Sequence, residues 1–170
     1  PGLDEPYDHR YLFVEIGYNM KMTDVQAAIG LIQIDRLPAF VAARKANFQR
    51  MYDALRPYED YLILPAWNDR ADPAWFAFPI TVRSGAPFTR RDLNGWLEER
   101  NIETRLLFGG NIVRQPGYRD IGYRAVGDLP HSDTVLRSSF FIGVYPGLDD
   151  ARMDYVIHTL ETFFAQQRSV

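Results

Sequence analysis

With 170 residues, 46% of them hydrophobic and 14% aromatic, the chain has enough apolar side chain to bury a core of its own, which excludes a disordered segment. Its 19 basic residues against 22 acidic ones leave a net charge of -3, so neither nucleic acid nor an acidic membrane surface is an electrostatically favoured partner. The lack of cysteine removes a thiol nucleophile, a disulfide and any thiolate-held metal or iron–sulfur cluster from this segment.

In chain order, Pro1-Gly2-Leu3-Asp4-Glu5-Pro6 opens without an initiator methionine and stays loop-like as far as His9, which reads as a piece of something longer. No apolar run reads as long enough to span a bilayer and no signal peptide opens the chain, so a soluble, cytoplasmic protein is expected. Residues 11–16 form a short aromatic segment, a strand or an extended arm. A polar turn carrying Tyr18, Asn19 and Lys21 then runs into Thr23, a good N-cap. The spacing predicts a helix to about Leu37 with Val25, Ala28, Ile29, Ile32 and Leu37 on one inward stripe. Pro38 suits the first turn of a second helix ending near Leu55, with Phe40, Val41, Phe48, Met51, Tyr52 and Leu55 facing inward and Arg44, Lys45, Arg50 and Asp53 on a wetted side.

From Tyr61 the period changes. Residues 61–64 and 76–82 are β-branched and aromatic runs bounded by turn formers and predict strands, with Pro79 suited to an edge or a bulge. Thr89 opens a third helix that Asn101 stops, and residues 102–108 read as a strand ending in Gly109-Gly110-Asn111. Residues 114–127 are loop-rich, and one short helix is expected after His131. Residues 139–144 form a strand, and Leu148-Asp149-Asp150 starts a last helix. The order predicts an α+β fold, a small mostly antiparallel sheet with helices packed on one side.

The mouth of the first helix, with unpaired backbone N–H groups, is a place where an anion such as phosphate can bind, although most such turns merely cap helices. Residues 103–111 deliver Arg105 and then a bare Gly-Gly-Asn turn, either a ligand wall or an ordinary strand end. Trp75-Phe76-Ala77-Phe78 reads as core. His9, His131 and His158 are too scattered for a metal site, and Ser138-Ser139 lacks a nucleophile elbow. No nucleophile, general base or electron sink is expected in this segment, and no metal ligand.

The stretch Gly17-Tyr18-Asn19-Met20-Lys21-Met22-Thr23-Asp24-Val25-Gln26-Ala27-Ala28-Ile29-Gly30 resembles the signature opening the C-terminal domain of the DegT/DnrJ/EryC1/StrS family of pyridoxal phosphate enzymes, with lysine where arginine is commoner. Trp75-Phe76-Ala77-Phe78, Thr104-Arg105-Leu106-Leu107-Phe108-Gly109-Gly110-Asn111 with Arg114-Gln115-Pro116, and Phe140-Phe141-Ile142-Gly143-Val144-Tyr145-Pro146-Gly147 resemble its dehydrase branch. The resemblance implies the C-terminal small domain (residues 17–170, with 1–16 as the connection) of a fold-type-I enzyme. Such an enzyme removes the C3 hydroxyl of a CDP-4-keto-6-deoxyhexose in lipopolysaccharide O-antigen dideoxysugar biosynthesis.

It further implies a homodimer whose missing N-terminal large domain holds most of the pyridoxal or pyridoxamine phosphate. A [2Fe-2S] cluster in the full-length enzyme would have no ligand here. Asn19 would reach the cofactor phosphate of the neighbouring subunit with Lys21 beside it, and Glu103, Arg105, Phe108, Gly109, Gly110 and Asn111 would form the substrate wall, with Arg105 on an anionic group. In that branch a histidine replaces the Schiff-base lysine, and it would lie upstream. A nucleotide-sugar aminotransferase and a non-catalytic dimerisation or binding module are the alternatives.

Overall fold

A computed structural model of the chain describes residues 18, 20–118 and 120–167. The segment 11–16 and Asn19 lie outside the described residues. The chain divides into two compact units, one ending at Arg36 and the other running from Leu37 onward.

In the first unit Thr23 caps its helix as expected. Its backbone N–H donates to Gln26 Oε1 at 2.9 Å and its Oγ1 accepts from the Gln26 N–H at 3.4 Å, a reciprocal capping box. The helix so opened, α1 (Asp24–Leu55), corrects the expected break: it is one helix of 32 residues with Pro38 inside it. Proline already holds a helix-compatible φ. Its missing N–H and ring clash are local costs, and the alanines and leucines around it favour continuation.

The expected inward stripe is also corrected. Val25, Ile29, Ile32 and Leu37 are 71%, 58%, 55% and 55% exposed, and Leu31 and Ile34 on other sides of the helix are exposed too. Apolar residues all round a helix indicate a surface meant for covering rather than one face meant for a core. The segment Asp24–Tyr58 also departs from the hydropathy expectation. By length and a mean hydropathy of 1.2 it could cross a membrane, a test that core helices of soluble proteins also pass.

The second unit is built on β1 (Leu62–Ile63), β2 (Ala77–Val82), β3 (Arg105–Leu106) and β4 (Ser139–Gly143). Their order is β1-β2-β4-β3, and every neighbouring pair is antiparallel. Phe78, Ile80 and Val82 alternate onto the buried face of β2, and the pairs Phe78↔Ile142 and Ile80↔Phe140 put β4 in the same layer. Phe48, Met51 and Leu55 of α1, Leu93 and Leu97 of α2 (Arg90–Glu98), and Met153, Leu160, Phe163 and Phe164 of α4 (Asp150–Gln167) complete that core. The α+β layer is therefore as the sequence predicts.

Pro79 sits in an inner strand, paired with Phe141, and not at an outer edge. It is tolerated because the β1 ladder reaches only Thr81 and Val82, which leaves β2 locally unpaired on that side. The strand expected over residues 102–108 shrinks to Arg105–Leu106. Asn101 and Phe108 bracket it in left-handed conformations (φ 58 and 50), the first of them the expected helix stop. At α2 the Thr89 side chain accepts from the Asp92 N–H, and the Asp92 carboxylate accepts from the Thr89 hydroxyl at 2.7 Å and from the Thr89 N–H at 2.8 Å; the hydroxyl bond first and the backbone bond second hold the Asp92 carboxyl below the usual range. The short helix α3 (Pro130–Ser138) begins one residue before His131.

Candidate functional site

On the sheet face turned away from the core, Arg105, Phe141 and Pro79 stand in one row across β3, β4 and β2. A cleft of about 890 Å3 opens there, with Arg44, Phe76, Glu103, Arg105, Tyr145 and Arg152 among its walls. The aromatic run expected to be core divides at this point. Trp75, at φ 36, turns in to lie flat on Phe48 (centroids 3.8 Å apart, planes 3° apart), and Phe78 is buried. Phe76 turns out, 76% exposed, with its ring 5.8 Å from that of Phe141. Arg44 fixes the kink by donating from Nη1 to the carbonyls of Trp75 at 3.1 Å and Phe76 at 3.2 Å. Helical periodicity assigns Arg44 to a wetted side, and nothing local in the sequence signals a bond spanning more than thirty residues.

Glu103 and Arg105 both line the cleft. Arg105 donates from Nε at 2.9 Å and Nη2 at 2.5 Å to the single oxygen Oε1 of Glu103, which leaves further guanidinium donors for a ligand. Phe108, Gly109, Gly110 and Asn111 form a tip beyond β3 and are not among the cleft walls. Phe108 is 81% exposed, with its ring 6.3 Å from Phe141. Gly109 accepts through its carbonyl from Gln115 Nε2 at 2.9 Å.

Gly110, at φ 61, lies so close to α3 that a Cβ there would stand 2.4 Å from the Leu136 Cα. Asn111 is buried: its Nδ2 donates to Asp133 Oδ1 at 2.7 Å and its Oδ1 accepts from the Val113 N–H at 3.3 Å. Arg114 grips the same carboxylate with Nε at 3.2 Å and Nη2 at 3.1 Å. The Arg114 hydrogen bonds, then that of Asn111, hold the Asp133 carboxyl below its ordinary range. Gly110 and Asn111 thus clamp the tip to α3, while Phe108 and Arg105 carry the open surface. Asp133 joins the site through the fold alone, with no motif spacing to announce it, and pairs there with Arg114 of the Arg114-Gln115-Pro116 motif.

Of the residues expected at the cofactor phosphate, Lys21 is exposed ahead of α1 and Asn19 lies outside the described residues. Among the described residues no group of three or more His, Cys, Asp or Glu side chains is placed to hold a metal ion.

A family model described as "DegT/DnrJ/EryC1/StrS aminotransferase family" matches residues 1–161. The chain is 44% identical over 163 residues to lipopolysaccharide biosynthesis protein RfbH of Salmonella typhimurium, covering 96% of this chain and 37% of that protein. It is 45% identical over 160 residues to the dTDP-4-dehydro-2,6-dideoxy-D-glucose 3-dehydratase of Saccharopolyspora spinosa, covering 94% of this chain and 34% of that enzyme. Similarity to the dTDP-4-amino-4,6-dideoxy-D-glucose transaminase of Escherichia coli is lower, 26% identity over 79% of this chain and 36% of that enzyme. The chain thus spans about a third of the length of the curated relatives it matches.

Among solved structures, an aminotransferase from Psychrobacter cryohalolentis superposes with a TM-score of 0.83 at 23% identity, over 98% of this chain and 45% of that one. An E. coli GDP-4-keto-6-deoxy-D-mannose-3-dehydratase with bound hydrated PLP gives 0.77 at 22%, over 93% and 40%. At these identities the structures speak for the fold.

Proposed function

The chain belongs to the DegT/DnrJ/EryC1/StrS aminotransferase family, and on that premise we propose that it is the C-terminal small domain of a nucleotide-sugar 3-dehydrase. The enzyme would remove the C3 hydroxyl of a CDP-4-keto-6-deoxyhexose in O-antigen dideoxysugar biosynthesis. The observation that supports this reading is the 44% and 45% identity, across nearly the whole chain, to a lipopolysaccharide biosynthesis protein RfbH and to a sugar 3-dehydratase, against 26% to a sugar transaminase and 23–26% to the more distant 3-dehydratases.

Pyridoxal or pyridoxamine phosphate, when bound, supplies the electron sink for such chemistry. The phosphate end of that group is the part this chain would meet. Lys45 is ion-paired with Asp72, while Lys21 stands exposed ahead of a helix mouth that favours an anion. Lys21 would add a point charge beside the phosphate of the neighbouring subunit's cofactor, with Asn19 as the amide donor. The ring and its base belong to the large domain, as does any [2Fe-2S] cluster, because this chain offers no thiolate. In the substrate wall Arg105 orients an anionic group and the exposed Phe108 excludes water from the sugar, while the glycine turn holds that tip on α3.

In this account the exposed apolar surface of the first half of α1 is covered by the large domain or by a second protomer of a cytoplasmic homodimer. The full-length protein, given a nucleotide-linked 4-keto-6-deoxy sugar, is expected to yield the 3-deoxy sugar. An amino sugar would reassign it as an aminotransferase. The 170-residue chain mixed with pyridoxal phosphate should develop no absorbance band; a strong band would mean that the cofactor site is misplaced.

A further inference from the structure

We propose that Arg44 is a positioning residue for the cleft beside β3 and β4. Through two backbone carbonyls it holds the Phe76 ring out on the cleft wall, where that ring and Phe141 form the apolar surface that packs against the sugar. The proposal rests on the nucleotide-sugar reading above and gives that site an apolar wall together with the residue that sets it.

Strand β2 starts at Ala77 and carries Phe78, Ile80 and Val82 on its buried face. Side chains two apart on a strand share a face, so the same alternation continued backwards would send Phe76 inward beside Phe78 and Trp75 outward. The structure has the reverse. Trp75, at φ 36, breaks the alternation: its indole lies on Phe48 with Trp67 edge-on at 5.2 Å, and Phe76 is left 76% exposed. A bulky residue other than glycine is disfavoured at positive φ and persists there only where its surroundings fix it.

Two devices fix it here. The aromatic stack holds the Trp75 side chain, and Arg44 holds the backbone. The β4 ladder begins at Ala77, paired with Gly143, and the carbonyls of Trp75 and Phe76 accept from Arg44 instead. Both bonds come from the one nitrogen Nη1 of a half-buried side chain. Backbone strain secured by a distant contact marks a place where a side chain is presented for use, and the side chain presented is Phe76. Its ring stands edge-on to Phe141, and both line the cleft that also holds Glu103 and Arg105. Such a wall suits a sugar linked to an anion: the rings cover C–H groups, and the polar side chains take hydroxyls and charge.

The test is steady-state kinetics of the full-length protein with its cofactor on a nucleotide-linked 4-keto-6-deoxy sugar, with each variant checked by circular dichroism and cofactor absorbance. Phe76→Ala, a change on an exposed ring, should raise KM about tenfold with kcat nearly unchanged. Arg44→Met keeps the stem, removes the donors and should do the same, and the double variant should be no worse than either single one. Arg44→Lys should restore a KM near that of the parent, because one nitrogen makes both bonds. Where Arg44→Met folds poorly, Arg44→Gln takes its place and should raise KM in the same direction. A parent-like KM in Phe76→Ala, or in the folded Met or Gln variant of Arg44, overturns the proposal. Additive losses in the double variant also overturn it, because Arg44 would then touch the substrate on its own account. If the full-length protein makes the 3-deoxy sugar while these variants match the parent, the dehydrase reading stands and the role of Arg44 falls. The stated pattern with an amino-sugar product does the reverse.

Discussion

Replacing Gly110 by alanine tests whether the tip after β3 is clamped to α3 as described. The new Cβ meets two separate costs. At φ 61 an L-residue is in the left-handed region, which disfavours it by about 1–2 kcal/mol. The Cβ would also lie 2.4 Å from the Leu136 Cα and 2.8 Å from its N and Cβ. Carbon atoms rest at about 3.5–4.0 Å, so tip or helix must retreat by about 1 Å, and such overpacking costs about 1–3 kcal/mol. Together these give about 2–5 kcal/mol, or a fall of about 4–20 °C in Tm for a chain of this length. Gly127→Ala is the matched control: its φ is 71 with nothing within 4 Å of the added Cβ, so only the left-handed cost applies. Thermal melts of the parent and both variants in one buffer decide it. If Gly110→Ala melts no lower than Gly127→Ala, the close approach to Leu136 is not a real constraint.

Further outcomes are expected elsewhere. Thr89→Ala removes the cap of α2 and should lower stability by about 1 kcal/mol in chemical denaturation, while Thr89→Ser should retain most of it. The Asp133 carboxyl titrates lower folded than unfolded, so its stabilising effect is complete above an unfolded value of about 3.9 and fades as pH falls through the folded one. Urea midpoints below about pH 4 should therefore fall more steeply for the parent than for Asp133→Asn, and equal slopes would deny the Arg114 and Asn111 clamp a role. Pro38→Ala restores a helical N–H inside α1 and should stabilise the chain by about 2 kcal/mol after allowing for a looser unfolded state, read as a higher Tm and stronger far-ultraviolet ellipticity.

The elements legible in the sequence are those whose causes are local. The Thr89–Asp92 capping box, the alternation in β2 and β4, and the left-handed Asn101 are written within a few residues of where they act. Pro38 misleads because a proline is equally good at starting a helix and, at a cost, at sitting within one. The stripe from Val25 to Leu37 has a clear period but no described partner, since period says only that a face wants covering.

At the site, Arg105 and Glu103 could be picked out because a strand ending in Gly-Gly-Asn is unusual. Arg44 could not, because its acceptors are carbonyls on a distant kink, which any residue supplies. Asn111 was legible as polar and turn-forming. Its burial against Asp133 depends on α3 folding back over the tip, which no short window contains.

The parallel contact of Phe48 and Trp75, with Trp67 edge-on to both at 5.7 and 5.2 Å, makes a built-in optical reporter. Coupled transitions of those rings should produce a strong near-ultraviolet dichroic band, and ring currents should move the Phe48 proton resonances far upfield. Because Phe48 comes from α1 and both indoles from the chain between β1 and β2, that signal would vanish on release of the helix from the sheet, even while total helicity stayed unchanged.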